Sequence, residues 1–141
     1  MNHRLIRLGA NVAVALMPQV SIAQTMEAGM WEIVVNMQGA GPAISPQTIT
    51  RCVTPQEAGN PRNVVPSSEM GKQCKIENSN VSGNRFAFTL QCAQPKLTTR
   101  GEFVFAGASY TGSMNTEMSD PSTGTLRVTQ QIRARRLGAC K

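Results

Sequence analysis

The residues of this 141-residue chain best equipped for chemistry are its four cysteines, Cys52, Cys74, Cys92 and Cys140. Two of them sit near the outer ends of the stretch from Gln73 to Ala93, which reads as two arms around Ser82-Gly83-Asn84. In the second arm Phe86, Phe88, Leu90 and Cys92 share one side, and Arg85, Ala87, Thr89 and Gln91 the other, the period-2 pattern of a half-buried strand. A three-residue loop sets Cys74 opposite Cys92, whereas a two-residue loop would offer Cys74 the alanine at 93. The chemistry expected is therefore disulfide formation. Closing a loop of this size contributes on the order of 3 kcal/mol. Four cysteines allow three pairings; Cys74–Cys92 together with Cys52–Cys140 is favoured, the second bond tying the last residues to the first half of the chain.

Other chemistries lack their residues. The single histidine, His3, lies in a segment expected to be removed, so no Ser-His-Asp or Cys-His arrangement and no imidazole acid or base is available. A cysteine zinc site would need thiolates that an oxidising compartment converts to disulfides. No glycine-rich phosphate loop precedes a helix. The carboxylates Glu32, Glu102, Glu117 and Asp120 are scattered. An enzyme is not expected, nor a metal or cofactor. The methionines Met30, Met37, Met114 and Met118 could offer thioethers to Cu(I), although methionines on strands ordinarily fill core gaps.

The elements that must position these residues read as strands. Trp31 to Gln38 puts Trp31, Ile33, Val35 and Met37 on one side, and Gln47 to Thr54 ends near Cys52. Residues 55–72 form a long loop with one short helical turn expected after Thr54, since threonine suits the cap and Pro55 the first helical position. Beyond the hairpin, Leu97 to Phe105, Ser109 to Ser119 and Thr125 to Leu137 alternate in turn. In the last of these Leu126, Val128, Ile132 and Ala134 point inward. Gln130 and Arg136 share their parity, which calls for a pocket, a bulge or a strand end that reaches solvent. Arg127, Arg133 and Arg135 point outward, as a solvated face or as contacts for anionic lipid or polysaccharide. The fold class is all-β: an antiparallel meander of about seven strands, forming a curved sheet or incomplete barrel stapled by disulfides.

Residues 1–23 look like a secretory signal peptide, with Arg4 and Arg7 before a short apolar run and Ser21 and Ala23 at the cleavage-site positions. The run is shorter than the roughly 20 residues that span a bilayer, so no transmembrane anchor is expected. Residues 24–141 then make a single β domain, periplasmic or secreted. Removing Arg4 and Arg7 lowers the net charge from +6 to +4. Nucleic-acid binding is not expected, because basic residues are not interleaved with aromatic stacking platforms.

Gly29-Met30-Trp31-Glu32, Cys52-Val53-Thr54, Cys74, Cys92, Tyr110-Thr111-Gly112-Ser113-Met114 and the terminal Arg135-Arg136-Leu137-Gly138-Ala139-Cys140 occur in one order. Together they resemble a family of small exported proteins of Gram-negative bacteria described only as a domain of unknown function. The resemblance implies export and a four-cysteine layout, and brings no catalytic residues. A looser likeness, through G-x-W, is to lipocalin-type barrels. The expected role is a binding or interaction module of the cell envelope, its partner an unknown envelope protein. The alternative is a small carrier of an apolar molecule lined by Trp31, Phe86, Phe88, Phe103 and Tyr110. An apolar cavity of roughly 300 Å3 or more would favour the carrier, and a filled core would rule it out.

Overall fold

The computed structural model describes residues 26–39, 41–64 and 73–141. The expected signal peptide and the later part of the 55–72 loop lie outside the described residues. Seven antiparallel strands form one open sheet: β1 (Gly29–Gly39), β2 (Gln47–Val53), β3 (Cys74–Ser82), β4 (Arg85–Cys92), β5 (Leu97–Phe105), β6 (Ser109–Asp120) and β7 (Gly124–Gly138). Their spatial order is β2-β1-β7-β6-β5-β4-β3. The last five strands are a meander, to which the β1–β2 hairpin is added on the β7 side.

This order places β2 and β3, consecutive in sequence, at opposite edges. The connector between them therefore has to join the two edges of the sheet. It begins with α1 (Pro55–Ala58), capped as the sequence suggests. The Thr54 hydroxyl accepts from the Glu57 N–H at 3.3 Å, and the Glu57 carboxylate accepts from the Thr54 N–H at 2.8 Å. A 3-10 turn, η1 (Pro61–Val64), follows; the sequence reading did not anticipate it. From η1 the Arg62 guanidinium donates to the Ser79 hydroxyl on β3 at 2.8 Å. In a flat sheet the two edges would be about 29 Å apart, at about 4.8 Å per strand. The chain reaches β3 within nine residues of the end of β2, one helical turn included, because the sheet is coiled and its edges are drawn together.

The inner face carries the core. Trp31, Phe86, Leu90, Phe103 and Val53 are its largest fully buried side chains. Phe103 and Phe88 lie flat across neighbouring strands, over Gly112 and Gly101. A Cβ at either glycine would come within 2.3 Å of the ring above it. Phe86, Phe88 and Phe103 stack in sequence at 5.5 and 6.2 Å, and Tyr110 meets Phe103 edge-on at 5.9 Å.

Both favoured disulfides are present, Cys52–Cys140 and Cys74–Cys92. Cys74 faces Cys92 across the β3–β4 pair, but through a different turn from the one expected. The loop is the two-residue Gly83-Asn84, with Ser82 paired to Arg85 and Gly83 at φ +59°. A bulge at Glu77, between Ile76 and Asn78, then shifts the register by one and restores the cysteine pair.

The two ends of the described chain lock together. The Trp31 indole N–H donates to the Glu27 carbonyl at 2.9 Å, and the Arg136 guanidinium to the Ala28 carbonyl at 2.7 Å. Gly29, at φ +145°, packs against the Gly138 carbonyl, where a Cβ would lie 2.3 Å from that oxygen. Arg135 pairs with Glu32 at 2.7 Å. The opening G-x-W-E and the closing R-R-L-G are thus one structural clasp.

Candidate functional site

The coiled sheet leaves part of its inner face unfilled. Pairing across β2, β1, β7 and β6 sets the floor in rungs. Ile49, Ile33, Ala134 and Tyr110 form the first rung, Gln47, Val35, Ile132 and Gly112 the second, and Met37, Gln130 and Met114 the third. The Phe103 ring, laid over Gly112, closes one side. The connector contributes Glu57, Arg62, Asn63 and Val64 to the opposite wall. Together these groups enclose a cleft of about 560 Å3. Ile49 is 49% exposed, and Ile33, Val35 and Met114 are half-buried, so the floor presents real apolar surface.

The polar groups of the cleft are few. Arg51, next inward residue after Ile49, donates to the Glu57 carboxylate at 3.1 Å. Hydrogen bonding from the Thr54 backbone N–H, with the Thr54 side chain and Arg51 adding to it, holds the Glu57 carboxyl below its ordinary range. Tyr110 is buried to 5% exposure, and burial pushes its hydroxyl up to about 12 while the nearby Arg51 charge opposes the shift. Among the described residues that hydroxyl makes no hydrogen bond, yet no fully buried side-chain polar atom lacks a partner. The Tyr110 hydroxyl therefore opens onto the cleft.

Of the five aromatic residues expected to line a ligand volume, Phe103 and Tyr110 border the cleft. Trp31, Phe86 and Phe88 lie in the closed part of the core, where neighbouring rings occupy the space. The sequence reading missed Ile33, Val35, Ile49 and Met114 as a floor; their alternation marks the face but not whether that face is covered. Met37 and Met114 line the cleft while Met30 and Met118 do not, so the four thioethers are not gathered in it. Among the described residues no group of three or more His, Cys, Asp or Glu side chains could hold a metal ion. Gln130 faces the cleft, and Arg136 spends its inward parity on the clasp.

The outer face has a second depression of about 660 Å3, lined by Asn36, Gln38, Thr111, Ser113, Gln131 and Arg133 among others. Its polar groups serve one another in part, with Gln131 donating to Ser113 at 3.4 Å. Two of the outward arginines are paired, Arg127 with Glu117 at 3.0 Å and Arg135 with Glu32. Arg133 has no acidic partner among the described residues. The inner cleft is the better candidate, because it combines shelter, apolar surface and an uncommitted buried polar group.

Among the described residues no helix is long and apolar enough to cross a membrane. No curated protein and no solved structure matches the chain. A family model does match, over residues 26–140, spanning every strand, both disulfides and the clasp between the two ends. The chain belongs to the family described as "Protein of unknown function (DUF3617)".

Proposed function

We propose that this domain is a binding module of the cell envelope and that its binding element is the inner-face cleft. The observation that carries the proposal is the floor itself. Ile33, Val35, Ile49 and Met114 turn apolar surface toward about 560 Å3 that the side chains of the described residues leave unfilled. Apolar surface left wet forgoes about 25 cal/mol per Å2 of burial, and a volume between about 300 and 1,000 Å3 is the size of small-molecule sites. Carriage of a small apolar molecule is the more specific form of this proposal, and the depth of the cleft favours it over a flat protein contact. Export to the periplasm or beyond draws support from the two disulfides, which persist in oxidising compartments. Binding is preferred to catalysis because Glu32, Glu57, Glu102 and Glu117 are all engaged in ion pairs with arginines.

Titration of the oxidised, exported protein with a neutral apolar fluorophore tests the proposal. Saturable one-to-one binding is expected. In Val35→Phe, whose ring projects into the cleft, affinity should fall at least about tenfold with the fold intact. Lack of saturable binding, or equal binding by Val35→Phe, refutes it.

A further inference from the structure

The cleft gathers its charged groups, Arg51, Arg62 and Glu57, at one end, while the polar groups of the farther rungs, Gln47 and Gln130, are uncharged, and this says something about what it takes. We propose that it holds an amphiphile with a single carboxylate head, the head between Arg51 and Tyr110 and the chain along Ile33, Val35 and Met114. The inference deepens the binding proposal above and rests on it.

Three observations carry it. The first is the Tyr110 hydroxyl, on a side chain 5% exposed, opening onto the cleft with no hydrogen bond among the described residues. Leaving such a group against an apolar ligand would cost its hydration with nothing in return, whereas a carboxylate oxygen accepts from it. Burial keeps the phenol protonated, and so a donor, throughout the neutral range. The second is charge. The walls contribute two cations, Arg51 and Arg62, against one acid, Glu57. The Arg51–Glu57 pair is about 40% exposed on both sides, so it holds Arg51 weakly, and a guanidinium with five N–H donors can keep Glu57 while binding a second carboxylate. The third is the shape of the apolar strip. From Tyr110 to Met114 the floor runs four residues along β6, about 14 Å at 3.4 Å per residue, with Val35 and Ile132 on the rung between. A long chain fits that strip, and a compact apolar molecule would leave half of it bare.

The experiment uses the oxidised, exported protein, with hexadecanoate and its methyl ester as probes that share a tail and differ in head charge. Each displaces the neutral fluorophore at neutral pH. The acid is expected to bind about tenfold more tightly than the ester, about 1.4 kcal/mol. Arg51→Gln should remove most of that margin and Tyr110→Phe part of it, the margin being read as the ratio of acid to ester affinity in each variant. Arg133→Gln, on the outer face, should leave the margin intact. Equal binding of acid and ester to the unaltered protein overturns the carboxylate assignment and leaves the cleft a binding site. An unaltered margin in both Arg51→Gln and Tyr110→Phe overturns the head position. If neither probe displaces the fluorophore, or the fluorophore does not bind, the binding proposal fails with it.

Discussion

Replacing Gly101 by alanine tests how the inner face is packed. The backbone there does not need glycine for its conformation, since Gly101 is not among the residues with positive φ. Alanine would therefore gain about 0.4–1 kcal/mol through the unfolded chain. Against this, the new Cβ would stand 2.3 and 2.4 Å from two carbons of the Phe88 ring, far inside contact distance. Phe88 is 4% exposed and stacked between Phe86 and Phe103, so the ring has no free volume to enter. Overpacking of this kind costs about 1–3 kcal/mol. The expected net loss is about 1–2 kcal/mol, a fall in melting temperature of about 4–8 °C for a domain of this size. Thermal unfolding of the oxidised protein measures it, and a double-mutant cycle with Phe88→Leu identifies the cause. With the ring gone, Gly101→Ala should cost nothing or stabilise. An undiminished cost in the Phe88→Leu background would refute the ring-on-glycine account.

The disulfides should differ in worth: on the loop-closure model, removing Cys52–Cys140, with 88 residues of separation, costs about 4.6 kcal/mol, and removing Cys74–Cys92, with 18, about 3 kcal/mol. Urea unfolding of the two paired serine variants compares them, and the reverse ranking would contradict the assignment. Tyr110, the one tyrosine, should titrate in the folded protein near pH 12 against 10.0 unfolded. Since the raised group is the native one, stability is full below pH 10 and declines as the pH rises toward 12. Absorbance titration follows the phenol directly, and Arg51→Gln should move it further up. Gly29→Ala should destabilise by more than about 2 kcal/mol, because its Cβ meets the Gly138 carbonyl at 2.3 Å and φ +145° disfavours a side chain. Melting temperature decides; a neutral substitution would show that the clasp is loose.

Much of the fold can be read along the chain because strand alternation is local. Phe86, Phe88, Leu90 and Cys92 announce their common face without help from any other segment, and the pairing of Cys74 with Cys92 follows from it. The exact turn does not, since Glu77 inserts as an outward-facing bulge that disturbs the register of an already weak arm, Asn78 and Asn80 being poor markers of either face. Which strands adjoin is a long-range fact: β1 lies beside β7 through contacts such as Glu32–Arg135 and Gly29–Gly138, more than 100 residues apart in sequence. The cleft was the least legible part. Aromatic residues on one face look alike in sequence, and only the placement of Gly101 and Gly112 beneath Phe88 and Phe103 separates the packed half from the open one.

The two sulfur links, taken with the chain between them, trace a ring. From Cys52 it runs through the connector to Cys74, crosses to Cys92, follows β5, β6 and β7 to Cys140, and returns to Cys52. Hydrogen bonds leave the sheet open between β2 and β3, but this covalent hoop ties the two edge strands into one closed circuit. The outermost strands cannot peel away to trade places with those of a second molecule while the hoop is whole. The mouth of the cleft can gape only as far as one tethered span allows, and a reductant that cuts either link releases that span at one end.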